Sequence, residues 1–268
     1  VGKILKVRIL YYLLVKTSAN IYLPGFRGNS LNFTPFPFSI RHASDKYQSL
    51  SYSSFPYCDS QDSSMSPKPV LDSPWVMIHT LQQPTSWTWV EQALAHLDLI
   101  LLDHAQCERK AAGVALNLIF RYPSSTQLVR QLTAIAREEL DHFEQVNQWL
   151  ERRGIALASL PPPPYGAKLT AQIRRQEPDR LLDSLLVAAL IEARSHERLG
   201  LLATHCPDPE LAAFYQELMT SEARHYGVYW VLADTYFERE VVSQRLAELA
   251  TVESQLLSTL YPEPRIHS

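Results

Sequence analysis

Glu139 and His142 stand as Glu-x-x-His in REELDHFE, and Glu222 and His225 repeat the arrangement in SEARHYGV. On a helix, residues three apart share a face, so each pair aims one carboxylate and one imidazole at the same point. Each pair has a glutamate about thirty residues upstream, Glu108 and Glu192. A carboxylate-rich donor set with one imidazole per metal suits iron or manganese, whereas structural zinc favours Cys and His. A single Glu-x-x-His is ordinarily a solvated helix face; two of them, each with an upstream glutamate, are a far more specific signal. Glu108 also lies in the apolar stretch LDLILLDHAQCERKAAGVAL. An unpaired carboxylate buried there is costly, and a divalent cation removes that cost. Ligating histidines usually donate their second N–H to a carboxylate, and Asp103 and Asp183, both in apolar helical context, are the candidates.

These residues must be carried by helices. From Trp87 onward glycine is scarce and apolar residues recur at helical spacing. A first helix is expected from about Ser86 to Tyr122, broken near its start and stopped by Pro123. A second begins near Ser124–Ser125, where a hydroxyl can cap it, and ends at Gly154. The run SLPPPPYG at 159–166 cannot be helical, because consecutive prolines remove donors and fix the backbone. A short segment at 167–176 precedes a third long helix, Asp179 to His205. Asp208 can cap a fourth, from Pro209 to about Phe237. A weaker fifth, 238–258, could pack across the others. The proline-rich linker then serves as the long crossover between two helical hairpins.

Simple levelling tests whether such hairpins gather the ligands. In an antiparallel pair, residues equidistant from the turn lie at the same height. Glu108 and Glu139 have their midpoint at 123.5, at the Pro123 break, and Glu192 and Glu222 have theirs at 207, at Pro207. Both pairs therefore sit about 15 residues, or roughly 22 Å, from their turns. Glu197 is the other third-helix candidate; its midpoint with Glu222, 209.5, falls inside the next helix and fits less well. A Glu from each of two helices and Glu-x-x-His from two more is the inward ligand set of ferritin-like di-iron and di-manganese bundles. The expected fold is all-α, a ferritin-like four-helix bundle with a long crossover and an additional C-terminal helix.

The motifs LLDHAQCERKAAG, REELDHFEQV, EPDRLLDSLLVAALIEARSHERLG, FYQELMTSEARHYGVYW and the terminal PRIHS resemble the tRNA 2-methylthio-N6-isopentenyladenosine hydroxylase family over about residues 78–268. The pairing of IEARS-x-ER with SEARHY is what sets this apart from a bare ferritin-like match. The resemblance implies a non-haem di-iron monooxygenase that hydroxylates the isopentenyl group of a hypermodified adenosine beside the tRNA anticodon. Two iron ions, dioxygen and an external electron-donor protein are implied with it. Carried over by position, Glu108, Glu139, His142, Glu192, Glu222 and His225 would be the iron ligands. His196 departs from the pattern, where a small residue such as Cys is expected. Apolar neighbours of the ligands, Leu101, Ala105, Ala112, Leu186 and Ala189, could line a slot for the prenyl group or simply form core. A ferritin-like iron store or peroxide-handling bundle would use the same ligands, and a purely structural or RNA-binding helical protein would hold no metal.

Charge bounds the partners. Residues 1–70 hold eight Lys/Arg and three Asp/Glu, whereas the remainder holds 17 and 25. An acidic body is not the footprint of a general nucleic-acid binder, so tRNA contact requires a local basic patch. The stretch Arg152, Arg153, Lys168, Arg174, Arg175, Arg180 is one candidate, and the tail residues Arg265 and His267 are another. Residues 1–76 lack helical period and read as a disordered leader or as upstream sequence, with Met65 and Met77 as candidate starts and a targeting segment as the alternative. The apolar run KILKVRILYYLLVK is too short and broken for a membrane span, which needs about 20 apolar residues. Cys58, Cys107 and Cys206 form no C-x-x-C pair and are odd in number, which argues against a disulfide framework and points to the cytoplasm.

Overall fold

A computed structural model describes residues 80–268, and all of them fall in one compact unit. The expectations for the leader, including the apolar run, the candidate starts and Cys58, lie outside the described residues. Seven helices and no strand occur among those described: α1 (Trp87–Ala95), α2 (Leu97–Arg121), α3 (Thr126–Arg152), α4 (Pro164–Thr170), α5 (Asp179–His205), α6 (Pro209–Tyr236) and α7 (Arg239–Leu256).

The helices start and stop where local chemistry dictates. The expected first helix breaks at His96, whose φ of −136° and ψ of 44° leave the helical region, giving α1 and α2. Ser86 caps α1 by accepting from the Trp89 N–H, and Asp208 caps α6 by accepting from the N–H groups of Glu210 and Leu211. Ser125 occupies the position before α3, yet its hydroxyl makes no capping bond, so that part of the expectation fails. Gly154 follows α3 at φ 69°, a left-handed geometry that glycine adopts without a Cβ penalty. The proline run is non-helical through Pro163, but Pro164 opens α4. The first helical position tolerates proline because its missing N–H would have no partner there anyway.

Helices α2 and α3 form one antiparallel hairpin and α5 and α6 the other. The proline segment and α4 make the crossover between them, while α7 packs on α5, α4 and α6. Opposite ends of the bundle are marked by side-chain contacts. At one end Tyr122, after α2, donates to Glu177, just before α5. At the other, Arg153, after α3, bonds Asp98 at the start of α2 and Asp208 in the α5–α6 turn.

The apolar core is split in two. One cluster holds Ala115, Leu118, Leu132, Ala136, Leu186, Ala189, Tyr226 and Tyr229; the other holds Leu101, Ala105, Val146, Leu199, Leu211 and Leu218. On α2, α3 and α6 the predicted ligands lie between these clusters, and on α5 Glu192 sits at the edge of the first, between Leu190 and Ala193. A layer of buried carboxylate and imidazole therefore crosses the middle of an otherwise apolar bundle. No helix among the described residues is long and apolar enough to cross a membrane.

Candidate metal centre

Four helices each contribute to this layer at one height. Glu108 comes from α2, Glu139 and His142 from α3, Glu192 from α5, and Glu222 and His225 from α6. All six are buried, none more than 6% exposed. Their ligand atoms fall into two groups, each with all members within 4.8 Å of one another: Glu108, Glu139, His142 and Glu222, and Glu139, Glu192, Glu222 and His225. Glu139 and Glu222 belong to both. Two adjacent cation positions sharing two carboxylates, each with one further glutamate and one histidine, is the arrangement these donors describe.

The chemistry of the donors calls for added positive charge. Both carboxylate oxygens of Glu139, Glu222 Oε1, His142 Nδ1 and His225 Nδ1 are buried without a hydrogen-bond partner. His225 Nδ1 lies 2.8 Å from Glu139 Oε1, and His142 Nδ1 lies 3.6 Å from Glu108 Oε2 and 3.7 Å from Glu139 Oε2, so these atoms converge without hydrogen-bond geometry. Burial and the neighbouring Glu222 push the Glu192 carboxyl well above the usual range, and burial raises Glu139. Burial opposes protonation of both imidazoles, but the surrounding carboxylates outweigh it, lifting His142 to about 10 and His225 to about 9. Without a cation the cluster can relieve its repulsion only by holding protons; divalent metals satisfy the same orphaned atoms directly. Hard carboxylate oxygens plus one imidazole per position fit iron or manganese.

Glu197, the other third-helix candidate, faces elsewhere. Its carboxylate accepts from the Thr85 N–H at 2.8 Å and the Thr85 hydroxyl at 2.7 Å, and pairs with Arg194. His196 is also outside the cluster, with Nδ1 2.8 Å from the Met219 carbonyl.

The residues that support the ligands differ from those expected. Asp103 does not orient a histidine of the cluster: its Oδ2 accepts from the Ile266 N–H at 2.8 Å, and Arg265 approaches it at 3.7 Å. Asp183 accepts from the Arg174 backbone and guanidinium and from Arg245, five bonds of 2.8–3.1 Å that pin the crossover and α7 to α5. Arginines reach these aspartates because both lie away from the ligand layer, at the tail and at the start of α5. The groups that do back the cluster are Glu138, whose Oε2 is 2.9 Å from His225 Nε2, and His104, whose Nε2 is 2.5 Å from Glu108 Oε1. Burial raises the Glu108 carboxyl, but the His104 and His142 imidazoles outweigh it and hold it below the ordinary value. Both supports left a trace in the sequence. His104 precedes Glu108 by one helical turn, and Glu138 precedes Glu139, which aims it off the ligand face toward the neighbouring helix.

The proposed slot residues Leu101, Ala105, Ala112, Leu186 and Ala189 are all buried, Leu101 and Ala105 in one core cluster and Leu186 and Ala189 in the other. The expected basic patch is not one patch. Arg152 and Arg153 stand at one end of the bundle and Arg174 and Arg175 near the other, because the crossover runs the length of α3, about 40 Å for 27 residues. Arg153 and Arg174 are moreover paired with Asp98, Asp208, Asp179 and Asp183. The tail is not a phosphate-binding surface either. Arg265 is fully buried and bonded to the Pro161 and Pro264 carbonyls, and His267 stacks on Tyr165 at 5.2 Å beside Ser195. The two described cysteines, Cys107 and Cys206, are free thiols.

Comparison with known proteins adds a family. A family model described as tRNA-(MS[2]IO[6]A)-hydroxylase (MiaE) matches residues 74–268. A tRNA 2-(methylsulfanyl)-N(6)-isopentenyladenosine(37) hydroxylase from Pseudomonas putida is 40% identical over 185 residues, covering 69% of this chain and 90% of the relative. The protein of the same description from Salmonella typhimurium is 30% identical over 241 residues, covering 72% and 88%. Among solved structures, a Synechococcus protein described as having aldehyde deformylating oxygenase activity superposes with a TM-score of 0.69 at 53% identity, covering 70% of this chain and 95% of that one.

Proposed function

The chain belongs to the MiaE family of tRNA hydroxylases, and from that premise we propose that its buried carboxylate–histidine layer holds two iron ions for hydroxylating the isopentenyl group of 2-methylthio-N6-isopentenyladenosine in tRNA. The observation that carries this reading is the pair of four-residue groups sharing Glu139 and Glu222. Glu108 and His142 would complete one position, Glu192 and His225 the other. When bound there, a di-iron group would supply the oxidant that no side chain provides, for a reaction in which dioxygen, two electrons and two protons leave one oxygen atom in a C–H bond and the other in water.

The remaining work falls to the chain. Glu138 holds the His225 ring with Nδ1 toward the cluster, and His104 fixes one oxygen of Glu108 so that the other faces His142. The two apolar clusters flanking the layer exclude water, which strengthens every charge interaction between them. All six donors come from α2, α3, α5 and α6. The electron donor is an external protein, and a tRNA substrate fits a cytoplasmic enzyme.

One observation favours a second reading, an aldehyde deformylating oxygenase: the Synechococcus protein described with that activity is 53% identical, against 40% and 30% for the two tRNA hydroxylases. The deciding experiment compares tRNA nucleosides by mass, from cells with and without this protein, while the purified iron-loaded protein is offered an aldehyde. Gain of one oxygen on the prenylated adenosine supports the tRNA reading. Aldehyde turnover with no change in tRNA would replace it. Metal analysis tests the site itself: two irons per chain are expected, and fewer in His142→Ala and His225→Ala.

A further inference from the structure

An acid-free stretch of chain coincides with one surface of the bundle. Residues 109–137 contain Arg109, Lys110, Arg121, Arg130 and Arg137 and not one Asp or Glu. That is unusual in a body where 25 acids outnumber 17 bases over residues 71–268. The stretch is the turn-side half of the α2–α3 hairpin, and all five cations are exposed.

Helical geometry arranges these charges in stripes. Arg130 and Arg137 are seven apart and lie on one outward face of α3. Lys110 and Arg121 are eleven apart, close to three turns, and lie on one outward face of α2. Arg180, at the start of α5, joins Arg121 beside Tyr122 at the end of the bundle. Elsewhere on the surface, many arginines are neutralised: Arg174 by Asp179 and Asp183, Arg224 by Glu138, Arg239 by Asp234 and Arg245 by Asp183; Arg152 and Arg175 also lack an ion pair, but they stand toward opposite ends of the bundle rather than along one track. Among the described residues, Lys110, Arg121, Arg130 and Arg137 have no acid within ion-pair distance. Unpaired exposed cations with no competing acid are what a polyanion's phosphates need, because each contact releases a counterion without first breaking an ion pair.

The track also has the right height. Lys110 and Arg137 are each two residues nearer the turn than Glu108 and Glu139, so they lie about 3 Å along the axis from the candidate metal layer. From there the charges run to the bundle end at Arg121. We infer that the outer face of the α2–α3 hairpin, with Lys110, Arg121, Arg130 and Arg137, is the surface that holds the tRNA phosphate backbone. This rests on the tRNA reading above and adds where the substrate lies: the backbone beside the modified base crosses α2 and α3 at the metal level and continues toward the turn.

The test is a salt titration of binding to tRNA carrying 2-methylthio-N6-isopentenyladenosine. The protein is compared with a variant carrying Lys110→Gln, Arg121→Gln, Arg130→Gln and Arg137→Gln. Four lost phosphate contacts should lower the slope of log affinity against log salt by roughly 2.8–3.6, so wild-type affinity should fall roughly 50- to 150-fold more than the variant's between 50 and 200 mM salt. Circular dichroism and metal content should stay unchanged, since all four side chains are exposed and none belongs to the cluster. A second variant, Arg152→Gln with Lys168→Gln and Arg175→Gln, should retain most of the slope. Equal slopes for the hairpin variant and wild type, or loss of slope only in the second variant, would overturn the inference while leaving the tRNA reading standing. Wild-type protein that does not bind this tRNA even at 50 mM salt would overturn the reading and the inference together.

Discussion

Replacing Glu138 with Gln removes a charge from behind His225 while keeping the side chain's volume. In the native site Glu138 Oε2 is 2.9 Å from His225 Nε2, and its other contact is Arg224 at the surface. A carboxylate behind a ligating imidazole fixes the tautomer that leaves Nδ1 free and raises the basicity of that nitrogen; losing such a partner typically costs 10–100-fold in metal affinity. Glutamine can still accept the Nε2–H, so Glu138→Gln should fall near the low end, about 10-fold, and Glu138→Ala near the high end, about 100-fold. These correspond to about 1.4 and about 2.7 kcal/mol. The effect should be unequal between the two positions, because Glu138 touches His225 and not His142. At limiting free iron the variants should therefore lose the metal held by Glu192 and His225 first, passing through one iron per chain. The assay is a competitive chelator titration followed by metal analysis, with Mössbauer spectra to resolve the two irons. Unchanged affinity in Glu138→Ala, or equal loss from both positions, would refute the reasoning.

Asp183→Ala should destabilise the fold without removing metal. It leaves Arg174 and Arg245 without their shared partner, a loss of about 3–5 kcal/mol, which lowers Tm by roughly 6–20 °C at this size. Burial raises the Asp183 carboxyl, but the two arginines outweigh it and hold it below its ordinary value. Its contribution is thus present above about pH 4 and fades as pH falls through the depressed value, so the stability gap between wild type and Asp183→Ala should narrow in acid; a gap that widens would contradict this. Arg153→Ala removes a half-exposed pairing with Asp98 and Asp208 and should cost at most about 1 kcal/mol by urea denaturation. A chain beginning at Met77 should keep the full helical circular dichroism signal and bind the same amount of iron; aggregation or metal loss would show that residues before it support the bundle.

Helix order, hairpin turns and the height of the ligand layer were legible in the sequence because each depends on local chemistry or on counting. Helical period marks the elements, prolines and Gly154 mark their ends, and equal distance from a turn levels Glu108 with Glu139 and Glu192 with Glu222. The convergence of the six side chains follows from the same arithmetic, since two antiparallel hairpins with matched layers have one compact way to bury them. The supports could not be counted out in this way. Asp103 and Asp183 looked suitable because they sit in apolar helix, but whether an aspartate meets a histidine or an arginine depends on which neighbouring element arrives. Here the tail reaches Asp103, and the crossover and α7 reach Asp183. The role of Glu138 is not legible locally, because its partner is 87 positions away on α6. Arg152 and Arg175, close in sequence, are separated by the bundle's length, while Lys110 and Arg137, far apart in sequence, share a height on one hairpin. Burial of the tail is likewise invisible locally, for Arg265 reads as an exposed cation until the Pro161 carbonyl and Asp103 surround it. Sequence determines what each segment prefers to be; which charge meets which is decided by tertiary packing, because electrostatic partners are chosen by distance in space.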